Sequence, residues 1–180
     1  MVKLLAAVVT IIVCASSLSV RAAESVPSAS IIARSSQATL REFVELLGLP
    51  NDAIVPADIQ KNADWLEAAF RKRGFETRQM ANSGKPMLFA EYPKKNPASK
   101  TVLFYMHFDG QPVIAEQWAQ KSPWTPVLKQ RTAKNEWEAI DIERLYGPNP
   151  DREWRVFARS SSDDKGPIMM FLTADRKSVV

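Results

Sequence analysis

The chain has 180 residues, 46% of them hydrophobic and 24% charged, with a formal net charge of +4 and a single cysteine. That length can bury the core of one ordinary domain, and the composition argues against disorder over most of the chain. The basic runs Arg71-Lys72-Arg73 and Lys94-Lys95 are short and lack an aromatic platform, so they read as solvated or helix-end charge and no nucleic-acid partner is expected.

Lys3 precedes an apolar run from Leu4 to Val13, and small residues follow through Ala23, the order of a secretory signal peptide. The run is shorter than the roughly 20 residues of an ordinary membrane span, so no stable span is expected. Val20-Arg21-Ala22 offers a small-x-small cleavage site. Residues 1–22 are therefore expected to be removed on export to the periplasm or the exterior, with Ala23 as the mature start. Cys14 offers lipoprotein processing as an alternative, although Val13 is not the small residue that reading wants. Without the leader, Lys3, Arg21 and Cys14 are gone, and 22 basic residues face 20 acidic ones, a net of +2. A thiolate site or disulfide framework is then excluded, and any metal must be held by nitrogen and oxygen.

Residues 23–36 are rich in Ser and Ala, with Pro27, and read as a flexible lead-in. Leu40, Phe43, Val44 and Leu47 recur at helical spacing before Gly48 and Pro50. Pro56 is placed to open a second helix in which Ile59, Ala63, Leu66 and Phe70 share a face, with Arg71 to Arg73 complementing the C-terminal dipole and Gly74 at C′. Phe75–Met80 and Met87–Tyr92 read as strands joined through Asn82-Ser83-Gly84-Lys85-Pro86, and 93–99 as a polar loop. Thr101–Met106 is apolar on both faces, as expected of a strand covered on each side by helices. From Ile114 to Trp154 no clean period is visible, and an irregular excursion packed by Trp118, Trp124, Trp137 and Trp154 is expected. Val156-Phe157 reads as a short strand, and Pro167 as the start of an apolar helix through Leu172. The pattern is α/β, without an internal repeat.

Ligands of open α/β sheets gather beyond the carboxyl ends of the strands, and the only histidine, His107, falls at such an end in His107-Phe108-Asp109-Gly110. Neutral imidazole is a good zinc ligand, and a carboxylate two residues on can hold its other ring nitrogen and fix the tautomer. The plain alternative is a hydrogen-bonded histidine at a strand end. A second acidic turn, Ser160-Ser161-Ser162-Asp163-Asp164-Lys165-Gly166-Pro167, leads into the last helix, where backbone N–H groups and the helix dipole favour negative charge. A carboxylate there can bridge cations or simply cap the helix. The turn lacks the spacing of a phosphate loop.

The two motifs in this order resemble the M20 family of di-zinc metallopeptidases over roughly residues 37–174, with Trp118 and Ser122-Pro123-Trp124-Thr125-Pro126 where relatives carry a Trp and a Pro-aromatic element. The resemblance implies a three-layer α/β/α catalytic domain, present here in part and truncated at its C-terminal side. It implies that His107 is a terminal ligand of one of two Zn2+ ions, Asp109 its orienting catalytic carboxylate and Asp163 the bridge, whereas Asp164 stands where relatives accept Asp or Asn. Ala158-Arg159-Ser160 departs from the Gly-Arg-Gly of many relatives, and Gly110 from their Val.

Not matched are a downstream Glu-Glu pair with the general base, a further acidic ligand, a late His and a lid or dimerisation domain. The expected activity is therefore that of a longer parent, a zinc exopeptidase acting on a dipeptide, short peptide or N-acyl amino acid. Little activity is expected from this chain, and a homodimer only from the full-length form. The rival readings are an N-acyl amino acid deacylase on the same scaffold and a non-catalytic binding module. Asp175 to Val180 breaks the apolar helix pattern and is expected to be a non-native tail, the competing reading being a truncated paralogue.

Overall fold

The computed structural model describes residues 29–94 and 96–175. The leader 1–22, the first part of the lead-in and residues 176–180 of the tail lie outside the described residues. Helix α1 spans Ala29–Leu47, so the segment read as a flexible lead-in is helical from Ala29 onward. Ala29 and Ala33 are strong helix formers and Ile31 and Ile32 stand level with serine on that scale, so the serines that suggested a loop do not prevent a helix. Helix α2 spans Pro56–Arg71 with Pro56 in its first turn, where the missing N–H costs nothing. Its buried face contains Ile59, Ala63, Leu66 and Phe70, as the period requires, and also Asn62 and Ala69. Lys72 is the C-cap, so Gly74 lies one position later than expected, at φ +87°. The left-handed conformation there suits glycine and lets the chain reverse into the first strand.

Strands β1 (Glu76–Met80) and β2 (Met87–Glu91) pair antiparallel, with Arg78 opposite Phe89. Thr101–Met106 does not form the expected doubly covered strand. It has no ladder partner among the described residues, and Val102, Leu103, Phe104 and Tyr105 are 71%, 83%, 60% and 88% exposed. An apolar run announces burial but cannot name the neighbour that supplies it. The excursion beyond it is more regular than expected. Strands β3 (Val127–Arg131), β4 (Trp137–Ile140) and β5 (Arg155–Phe157) form an antiparallel sheet in the order β4-β3-β5. The β3–β4 turn closes through Thr132 N–H donating to Glu136 O at 2.9 Å, with Asn135 at φ 63°. Asparagine tolerates that conformation, and this was the overlooked turn signal. The aromatic packing does occur: Trp137 meets Phe157 edge-on at 5.1 Å, and the Arg131 guanidinium lies over Trp137.

The last helix, α3, spans Lys165–Asp175 and begins two residues before Pro167. Pro167 is still in the first turn, whose N–H groups have no intrahelical acceptor, so it does not break the helix. The core joins the three helices: Leu46 from α1, Leu66, Ala69 and Phe70 from α2, and Ile168, Met169 and Leu172 from α3. Leu88, Met106 and Phe108 pack against it, which brings the His107 segment onto the helical core. The result is a mixed helix-and-sheet chain, in agreement with an α/β class. Among the described residues no helix is long and apolar enough to cross a membrane.

Two buried cations tie the helices together. Arg73 donates to Leu172 O and Ala69 O, both at 2.9 Å, and pairs with Glu42 of α1. Lys165 is fully buried and donates through Nζ to Leu46 O at 2.8 Å and Leu49 O at 2.7 Å. It thereby docks the start of α3 on the C-terminal carbonyls of α1, where positive charge is favoured. Burial pulls its pKa down to about 7, only partly opposed by Asp58.

The unfolded value for lysine is about 10.4, so over the window between these values the unfolded chain binds more protons and stability must rise with pH. Urea unfolding should show this rise between about pH 7 and pH 10, and Lys165→Met should lack it. At about pH 9, where the neutral amine still donates both bonds, Lys165→Met should be about 1–3 kcal/mol less stable because two buried carbonyls lose their donor.

Candidate metal centre

The site forms where the extended segment ending at Gly110 meets the acidic turn before α3. Gly110 makes one parallel bridge with Asp52: its N–H donates to Asn51 O at 2.7 Å, and its carbonyl accepts from Ala53 N–H at 2.8 Å. This fixes His107 three residues upstream. The His107 ring then lies between two carboxylates. Nδ1 is 3.1 Å from Asp109 Oδ1 and 3.2 Å from Asp109 O, and Nε2 is 2.9 Å from Asp163 Oδ1. The main-chain N–H of His107 donates to Asp164 Oδ2 at 3.2 Å. Thus the structure brings together His107, Asp109 and Asp163, and it turns Asp164 towards the backbone of the histidine. The Asp163–Asp164 peptide bond is cis.

With Nδ1–H donating to Asp109 and Nε2–H to Asp163, the ring is held as an imidazolium, and loss of the Nε2 proton leaves a lone pair for a cation on the Asp163 side. His107 and Asp163 are 41% and 84% exposed, so a small ligand can reach both. Burial by itself lowers the His107 pKa, but the hydrogen bonds that the ring donates to Asp163 and Asp109 outweigh it and the net shift is upward. One imidazole nitrogen and one carboxylate oxygen suit a hard-to-borderline divalent cation, with a carboxylate behind the ring. They supply part of a coordination shell: among the described residues no group of three or more His, Cys, Asp or Glu side chains is arranged to hold a metal.

Sequence reasoning missed Asn51. Its side chain is fully buried, donating from Nδ2 to Phe108 O and to Ser160 Oγ, both at 2.9 Å, and accepting at Oδ1 from Trp124 Nε1 at 3.1 Å. One amide therefore holds the histidine segment, the acidic turn and the Pro-aromatic element. The only local signal was a Pro-Asn-Asp turn after α1, which reads as a loop and does not announce long-range partners. Trp118 lines the cavity beside the ring, and Pro123 O accepts from Arg159 N–H at 2.7 Å.

Gly110 and Ser160 lie against each other. A Cβ on Gly110 would come within 2.9 Å of Ser160 Oγ, and Ser160 sits at φ 61°, a conformation that favours glycine. Space surrendered at position 110 is filled by the hydroxyl at position 160. Gly166 has a different constraint, because a Cβ there would lie 2.3 Å from Ser161 O where the acidic turn folds over the start of α3.

Gly110→Ala should lower stability by about 1–3 kcal/mol in urea unfolding, the cost of overpacking. Adding Ser160→Gly should return only part of that loss, since it removes the nearest atom in conflict but also an acceptor of the buried Asn51 amide. Because the chain has one histidine, proton NMR can follow His107 without assignment by elimination. In metal-free protein the ring should titrate above the ordinary value of about 6.5. Asp163→Asn should move it down. The stabilisation tied to the imidazolium is therefore present at acid pH and fades as pH rises through the folded value.

No family model matches the chain. Over 112 residues, 61% of its length, the sequence is 29% identical to the Cys-Gly metallodipeptidase dug1 of Schizosaccharomyces pombe. The chain spans about a fifth of that relative, since the match covers 19% of it. The likeness supports a metallopeptidase relationship and hydrolase chemistry at that coarse level.

Proposed function

We propose that the chain is the N-terminal part of an M20-type zinc exopeptidase that hydrolyses the amide bond of a dipeptide or short peptide. The observation that carries this reading is the convergence of His107 Nε2 and Asp163 Oδ1 at 2.9 Å with Asp109 behind the ring. The likeness to a Cys-Gly metallodipeptidase adds support for peptide hydrolysis. An N-acyl amino acid deacylase would use the same amide chemistry, and the dipeptidase relative favours the peptide.

In this reading His107 and Asp163 would hold zinc, with Asp163 in the role of the shared carboxylate. Bound zinc supplies Lewis-acid polarisation of the scissile carbonyl and a more acidic water. The chain's own part is to orient. Asp109 takes the Nδ1 proton and keeps Nε2 available, and Asp164 holds the His107 main chain so that the ring does not swing away. The turn containing Asp163 is anchored through Ser160 to Asn51, so both ligands rest on one buried amide. The proton-moving Glu and the remaining ligands belong to a longer parent, and the chain by itself is proposed to turn over little or no peptide.

Calorimetric titration with zinc tests the assignment. Binding should be weak, and His107→Ala and Asp163→Ala should each reduce it by tenfold or more, about the effect of losing a direct ligand. Tight stoichiometric binding that survives His107→Ala would overturn the proposed centre.

A further inference from the structure

The sheet formed by β3, β4 and β5 turns one face to the interior, where Leu128 is fully buried, and the other to solvent. Side chains alternate along a strand, so Lys129 and Arg131 of β3 share the outer face with Trp137 of β4 and with Arg155 and Phe157 of β5. The register sets Lys129 directly opposite Arg155, and like charges in that position repel. Among the described residues no carboxylate pairs with Lys129 or Arg131, and the one paired with Arg155 is the exposed Glu153, at 3.6 Å. Glu138 stands on the opposite face, accepting from Gln130. The cations are nevertheless held in place: Lys129 Nζ lies 4.6 Å from the centre of the Phe157 ring, and the Arg131 guanidinium 4.2 Å from that of Trp137. Arg131 uses one N–H on Asn135 O and keeps the rest of its fork.

We propose that this face docks an extended acidic segment of a partner protein, with carboxylates at alternate positions. Lys129 and Arg131 are two residues apart on one strand, about 6.8 Å, and alternate side chains of an extended peptide repeat at the same distance. A carboxylate matches the guanidinium fork, and a second one in register reaches the Lys129 ammonium and relieves its repulsion with Arg155. Seating on the rings fixes both cations before binding, which reduces the ordering cost of docking. Single-stranded nucleic acid is also anionic, but it needs open aromatic faces for its bases. Here Trp137 and Phe157 meet edge-on at 5.1 Å, and each carries a cation of the chain over its face. None of the proposed metal ligands takes part, so the docking face stands apart from the peptidase reading.

Fluorescence anisotropy of fluorescein-(Glu-Thr)4-amide, of its (Gln-Thr)4 counterpart and of labelled octathymidylate, at about 20 mM salt, tests the proposal on the unaltered chain. The acidic peptide should bind at least tenfold more tightly than the neutral one and more tightly than the thymidylate. About 0.5 M salt should remove most of the binding, as screening of exposed charges requires. Lys129→Glu combined with Arg131→Glu should weaken the acidic peptide at least tenfold. Lys61→Glu with Lys85→Glu, an equal change of net charge at exposed positions elsewhere, should change it less than threefold. Equal binding of the two peptides, or binding of neither, would overturn the proposal without recourse to any variant. Tighter binding of thymidylate would mark the face as a nucleic-acid surface, and an equal loss in both double variants would show net charge alone at work; either result also overturns the docking of an acidic segment.

Discussion

The buried side chain of Asn51 is the interaction on which the candidate site depends. An amide offers two donor hydrogens and one carbonyl, and here both kinds are used: the donors reach Phe108 O and Ser160 Oγ, and the acceptor takes the Trp124 indole. A fully desolvated amide is costly unless satisfied, so each of the three segments is held by a penalty for leaving it. Position, and with it the reach of His107 to Asp163, is set by a residue that contacts neither.

Charge is handled the same way throughout the core. Lys165 and Arg73 are each buried, and each directs a donor at a main-chain carbonyl of another helix, Lys165 at Leu46 O of α1 and Arg73 at Leu172 O of α3. Such bonds do what a hydrophobic contact cannot, fixing the rotation of one helix relative to another through the direction of individual carbonyls. The acidic turn then leaves the start of α3 in one orientation only, with Gly166 removing the side chain that would strike Ser161 O.

Much of this was legible from residue type and period. The α2 face of Ile59, Ala63, Leu66 and Phe70 emerged because four apolar residues at that spacing line up on one side of a helix and scatter over both sides of a strand. His107, Asp109 and Asp163 stood out as candidates because two short motifs in this order resemble a known pattern, whereas each motif alone reads as a hydrogen-bonded histidine or a helix cap. What resisted was everything decided by distant partners. Thr101–Met106 has the composition of a strand, yet strandness is a property of a pair. Asn51 looks like an ordinary turn residue until the chain has brought its surroundings to it. The β3–β4 hairpin was hidden by short strands, and one left-handed asparagine marks its turn.

The separation of these contacts along the chain has a consequence for how the site comes into being. His107 meets Asp163 across 56 positions, and Asn51 meets Ser160 across 109. Closing such loops is opposed by chain entropy that grows only slowly with length, but neither contact is available to a locally formed helix or hairpin. A partly folded chain with all three helices intact would still scatter the imidazole and the carboxylate in solution. The pairing of His107 with Asp163 therefore exists only where distant segments have met, so the ligand pair registers completion of the long-range fold.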